Sequence, residues 1–154
     1  MLRTSLIAAA TLWAGAAAAI TVTETPDAGL DMATAFVLPD GTTTVEGTIE
    51  NTTFSDVDLY AFRLASPVRL TIQVIFPSPG DANLLLFNGL GQGLAGDDDG
   101  RSDCDSPPAY FLDSCLSLDL AAGDYFLGVG DNNIAAFDSA ALAFFGDPAG
   151  IFIH

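Results

Sequence analysis

The sequence predicts an all-β protein, a single domain built as a sandwich or barrel with its aromatic side chains in an inter-sheet core. Three observations carry this. Almost nothing after residue 20 has helical period. Short runs rich in β-branched and aromatic residues alternate with clusters of Gly, Pro, Asn and Asp. No linker, composition shift or internal repeat divides the chain after its first residues.

The elements follow in order. Arg3 and the apolar run from Leu6 to Ala19, ending in Ala17-Ala18-Ala19, have the pattern of a cleaved signal peptide over residues 1–19. Residues 20–154 then form the domain, 154 − 19 = 135 residues, long enough for a real core. The mature chain has no second apolar run and so no transmembrane segment. Asp31 to Leu38 reads as one helical turn or a short strand, with irregular or helical structure favoured at its start. Thr44 to Ile49 is an early strand.

Val57 to Leu64 is a strand with Tyr60, Phe62 and Leu64 on one face. Val68 to Phe76 is the clearest strand. Val68, Leu70, Ile72, Val74 and Phe76 share one face, and Pro77-Ser78-Pro79-Gly80 ends it. Asn83 to Phe87 is continuously apolar after its first residue, as a strand covered on both faces must be. Leu116 to Leu120 alternates, and Ala122-Gly123-Asp124 leads into Tyr125 to Val129, which reads as a hairpin. Phe137 to Phe145 is a last strand.

The formal net charge is −16, and removal of Arg3 with the signal makes it −17. There is no lysine, and seventeen of the twenty acids are aspartate. Such a field repels nucleic acid and anionic lipid and favours cations. Cys104 and Cys115 form an even pair which, in an oxidising compartment, makes one disulfide. The only histidine is His154, so the Ser-His-Asp and Cys-His arrangements lack their base, and no phosphate-binding loop precedes a helix. An enzyme is not expected. An aspartate pair acting as a small hydrolase is the remaining catalytic reading, and with so many aspartates some pair is inevitable.

The stretch Gly96 to Asp105, G-D-D-D-G-R-S-D-C-D, holds five carboxylates in ten residues. Asp97, Asp98, Asp99, Asp103 and Asp105 are candidate ligands for a hard cation such as Ca2+, with Asp97 and Asp99 converging if the chain turns at Gly100. A solvated turn is the other reading, and the spacing is not that of an EF-hand. Tyr60, Tyr110, Phe111 and Tyr125 divide between core and contact surface. Tyr110 and Phe111, inside the disulfide loop beside Pro107-Pro108, are the candidates for exposed contact.

Three segments taken in order resemble the bacterial pre-peptidase C-terminal domain and related exported β-sandwich proteins. They are V-E-G-T-I-E with S-D-V-D-L-Y-A-F-R-L between Val45 and Leu64, A-N-L-L-L-F-N-G-L-G-Q-G-L-A-G-D-D-D-G from Ala82, and L-S-L-D-L-A-A-G-D-Y-F-L-G-V-G from Leu116. The resemblance implies a jelly-roll-like antiparallel β-sandwich and a non-catalytic role. It implies calcium binding and recognition of an extracellular polymer, glycan or protein surface by a protein exported to the periplasm or beyond. It also places a metal site on Asp58, which opens the D-x-Y-x-F strand, with Glu24 and Asp27 before the first strand. Asp56 lies beside them, and Pro26 stands within the segment. The Cys104/Cys115 segment is not part of the family's pattern. The expected function is a calcium-stabilised binding or adhesion module. The alternative is a structural subunit of an extracellular matrix or surface layer.

Overall fold

The computed structural model describes residues 19–49, 57–75, 82–98, 104 and 114–131. These form nine strands and no helix: β1 (Ile20–Thr23), β2 (Phe36–Val37), β3 (Thr42–Glu46), β4 (Val57–Leu64), β5 (Val68–Gln73), β6 (Ala82–Asn88), β7 (Gly93–Asp97), β8 (Cys115–Leu120) and β9 (Gly123–Asp131). The expected signal segment, the Pro77–Gly80 turn and the strand expected over Phe137 to Phe145 lie outside the described residues.

The principal sheet has the order β2-β4-β9-β6-β7, and β5-β8 and β1-β3 are separate two-stranded ribbons. Pairing in the body of the main sheet and in β5-β8 is antiparallel. The flanking pairs β1-β3 and β2-β4 are parallel. Parallel neighbours need a crossover connection, and the segment between β1 and β3 supplies it by sending β2 to the main sheet on the way.

The apolar run of β6 explains the layering. Leu84 and Leu86 are fully buried in one cluster with Leu116, Leu120 and Tyr125, against Phe62, Leu70, Ile72, Val74, Leu127 and Val129. That cluster is the layer between the main sheet and the β5-β8 ribbon. Leu85 and Phe87 face the other way, into a second cluster with Leu59, covered by Met32, Ala35 and Phe126. A strand buried on both faces cannot alternate polar and apolar residues, and β6 does not.

The segment expected as irregular or helical, Asp31 to Leu38, divides into a turn and the short strand β2. Asp31 starts the turn. Its Oδ1 accepts from the backbone N–H groups of Ala33 and Thr34 at 2.9 and 3.0 Å. This local capping by a short acid is what makes the stretch look like a helix start in sequence. The early strand lies two residues before its expected start and ends before Gly47.

The expected hairpin between Leu116 to Leu120 and Tyr125 to Val129 is corrected. β8 pairs with β5, while β9 pairs with β4 and β6. The short link at Ala121-Ala122 therefore crosses between layers. The Tyr125 hydroxyl donates to the Ala121 carbonyl at 2.9 Å and ties the crossing, the construction of a tyrosine corner. Its ring stacks on Phe62, centroids 5.6 Å apart.

β7 was not anticipated as a strand. Its residues G-L-A-G-D carry no β-branched side chain. The turn before it is set by Asn88, whose Oδ1 accepts from the N–H groups of Leu90 and Gln92 at 2.9 and 3.0 Å. Gly91 takes the positive φ of 77° that the turn requires. A bulge between Leu86 and Phe87 skips Leu94, which stays exposed.

The described cysteines pair as expected, with Cys104 and Cys115 joined by a disulfide and their Cα atoms 5.5 Å apart. Arg63 and Arg69 sit on outward faces and meet Asp124 at 2.9 Å and Asp119 at 3.4 Å, each directly across its strand pair. Both pairs are solvated and contribute at most about 1 kcal/mol each.

Two substitutions test this architecture by urea denaturation. Leu86→Ala, at a site with no solvent exposure, is expected to cost about 2–5 kcal/mol. Tyr125→Phe removes only the hydroxyl at the layer crossing and is expected to cost about 1 kcal/mol.

Candidate metal centre

β4 is the element that positions the site. It pairs with β9 in an unbroken register from Val57↔Gly130 to Leu64↔Gly123. Residues two apart share a face, so Asp58 lies on the same face as Tyr60, Phe62 and Leu64. Asp58 is 1% exposed, a carboxylate at the end of an otherwise apolar row.

The chain between β1 and β2 brings the other acids to it. The Glu24 N–H donates to the Glu46 carbonyl at 2.9 Å, extending the β1-β3 ribbon by one bond. The chain then turns through Pro26, whose peptide bond from Thr25 is cis. Its return is pinned to β4 where the Leu59 N–H donates to the Gly29 carbonyl at 3.3 Å. Within the turn, the Ala28 N–H donates to Glu24 Oε1.

Glu24, Asp27 and Asp58 meet as a result. Each offers one ligand atom, and these atoms all lie within 4.8 Å of one another. Asp58 is buried, Glu24 half-buried and Asp27 exposed, so the group opens to solvent on one side. Two oxygens bound to one calcium at 2.3–2.6 Å are at most about 5 Å apart, and the observed spread falls inside that limit. The donors are all hard carboxylate oxygens with no nitrogen or sulfur, which suits calcium rather than zinc.

Tyr60 closes the inner side. Its hydroxyl donates to Glu24 Oε2 at 2.9 Å and lies 3.3 Å from Asp58 Oδ2. A phenol has one proton, so the shorter contact is the principal bond. Burial first, then the Asp58 charge, then the bond to Glu24 push the Tyr60 phenol well above its ordinary value of 10.0. The ring packs edge-on against Phe36, 6.3 Å between centroids, so Tyr60 belongs to the buried aromatics.

The second group of acids is separated from the first. Asp58, Val129, Leu84 and Asp97 fall in one row across β4, β9, β6 and β7. Three strand spacings put Asp58 and Asp97 about 14 Å apart. Asp97 is the buried last residue of β7, and its Oδ2 accepts from the Cys115 N–H at 2.7 Å. The Ser114 hydroxyl donates to the Asp98 carbonyl at 2.9 Å beside it. These bonds bolt β7 to the start of β8 next to the disulfide. Asp99, Asp103, Asp105, Asp56, Tyr110 and Phe111 lie outside the described residues. Among the described residues, Glu24, Asp27 and Asp58 are the one group of three or more potential metal ligands.

Two participants escaped the sequence reading. Tyr60 was assigned to core or contact without a link to Glu24, although its position two residues from Asp58 places it on the same face. Gly47 was not singled out at all. An atom placed as its Cβ would lie 2.1 Å from Glu24 Oε2 and 3.1 Å from the Tyr60 hydroxyl.

No protein-family model matches the chain, and no curated protein matches it.

The Tyr60 environment has a sign that alkaline titration reads. A raised folded pKa contributes stability that is complete below the unfolded value of 10.0 and is lost as pH rises through the folded value. The protein is therefore expected to lose stability above about pH 10 more steeply than Tyr60→Phe, measured by urea midpoints across an alkaline series.

Proposed function

We propose that this chain is an exported, non-catalytic β-sandwich module, similar to pre-peptidase C-terminal domains, stabilised by calcium at Glu24, Asp27 and Asp58 and used for adhesion to an extracellular polymer, glycan or protein surface. The observation that carries the reading is the meeting of these three carboxylates, from two distant chain segments, around a common point. The disulfide supports an oxidising compartment. The signal-like first residues support export. The net charge of −16 supports a cation partner and disfavours anionic ones.

When bound, calcium would supply two positive charges against the three carboxylates and couple the segments holding them. The protein's own residues do the rest. Asp58 is fixed by the β4-β9 register. Glu24 is held by the Ala28 N–H and the Tyr60 hydroxyl. Asp27 is the exposed ligand and the entry side. Three carboxylates supply part of the six to eight oxygens that calcium takes.

A ligand that binds only the folded state raises the melting temperature. At a hundredfold excess over Kd the gain is about 2.7 kcal/mol, or roughly 5–10 °C for a domain of this size. Calcium is expected to raise the melting temperature by this order relative to a chelator. Asp58→Asn should abolish the rise while leaving the chelated protein as stable or more so, since it removes one of three mutually repelling charges. Absence of any rise in millimolar calcium would overturn the metal part of the proposal.

Asp97→Asn is the matching control. It weakens a charge-assisted bond to a buried N–H, so it is expected to lower the melting temperature with and without calcium, a loss of about 1–3 kcal/mol. The calcium-induced rise should remain.

A further inference from the structure

We infer that Gly47 and Tyr60 are positioning residues for the cation, together seating the Glu24 carboxylate beside Asp58. This rests on the calcium reading of the Glu24, Asp27 and Asp58 group.

Glu24 is the ligand with most freedom to lose. Its side chain has three rotatable bonds, it is half-buried, and it stands one residue past the end of β1. The Ala28 N–H holds Oε1, and two further contacts confine Oε2 from opposite directions. From the core side, the Tyr60 hydroxyl holds Oε2 at 2.9 Å. From the ribbon side, the carboxylate lies over the bare backbone of Gly47, the residue after β3. Gly47 is required by space rather than by backbone conformation. Among the described residues the positive-φ glycines are Gly41 and Gly91, and Gly47 is not one of them. Alanine at 47 would place its methyl carbon 2.1 Å from Oε2, inside any tolerable contact, while the backbone could stay where it is.

The consequence concerns the ligand rather than the fold. A methyl group at 47 displaces the carboxylate of Glu24, the one nearby group free to move, from the point shared with Asp27 and Asp58. Removing the Tyr60 hydroxyl releases the same oxygen from the other side. Partners that orient a metal ligand typically contribute 10–100-fold to affinity. A cation drawing on Oε2 also changes the acceptor of the Tyr60 proton, so the near-ultraviolet spectrum of this tyrosine should report loading directly.

The test is calcium titration of the full chain by calorimetry, with melting temperature in chelator as the measure of fold. Wild type, Gly47→Ala, Tyr60→Phe and Gly123→Ala are compared. At Gly123 an added Cβ would have its nearest neighbour at 3.6 Å, so this variant controls for losing a strand glycine away from the site. Gly47→Ala and Tyr60→Phe are expected to bind calcium about 10–100-fold more weakly, with Gly47→Ala melting near wild type in chelator and Tyr60→Phe somewhat lower, as the loss of one hydrogen bond requires. Gly123→Ala should bind within twofold of wild type. Calcium should also produce a tyrosine difference spectrum in wild type that Tyr60→Phe lacks.

If wild type binds calcium and both site variants bind within twofold of it, the positioning role is overturned and the metal site stands. If wild type itself does not bind, the calcium reading fails and takes this inference with it. Should Gly47→Ala not fold, the affinity of Tyr60→Phe and the difference spectrum decide the question.

Discussion

Eight consecutive residue pairs join β4 to β9 without a bulge, and that register determines where everything else in the structure can be. Side chains alternate between faces with a period of two, so a slip of one residue would exchange the faces of the whole strand. In the observed register, Leu59 enters the cluster beneath Met32 and Ala35, while Phe62 and Leu64 enter the layer shared with β5-β8. Asp58 and Tyr60 are carried with Phe62 and Leu64. The acid cluster and the hydrophobic core are thus specified by the same pairing. A buried carboxylate in such a row is costly to place anywhere except where hydrogen bonds or a cation meet it.

The charge distribution follows the same division. The described arginines Arg63 and Arg69 stand on outward faces, opposite exposed aspartates, where their contribution to stability is small. Two of the polar groups brought to the acid cluster are neutral, an amide N–H from Ala28 and a phenol from Tyr60. Neutral donors orient carboxylates without cancelling their charge. The phenol keeps its proton because burial and the Asp58 charge both oppose ionisation.

Much of this was legible in the residues, and the exceptions have physical reasons. The alternation in Val57 to Leu64 gave the inward face, and the unbroken apolar run at Leu84 to Phe87 gave a doubly covered strand. Asp58 with Glu24 and Asp27 was legible only through the family resemblance, because no periodic pattern joins residues more than thirty positions apart. Gly47 carried no signal, since its requirement comes from a carboxylate of another segment passing over it. The link between β8 and β9 was misread because alternation fixes which face a residue occupies and not which strand it pairs with. Asp97 was read with the loop acids because a strand made of Gly, Leu and Ala has no strand propensity to announce it.

The position of the acid group gives its occupancy a mechanical meaning. The β1-β3 ribbon hydrogen-bonds within itself and does not pair with either strand edge of the main sheet. Glu24 directly follows β1, Gly47 directly follows β3, and Asp58 belongs to the main sheet. Among the described residues, the Tyr60–Glu24 bond and the Leu59–Gly29 bond help tie this region to β4. A cation shared by Glu24, Asp27 and Asp58 would add a further connection at the same junction, between the ribbon and the sheet rather than within either. Its main effect would then fall on the opening of the ribbon away from the sheet. The two-faced core around β6, held by its own packing, would be far less sensitive to the ion.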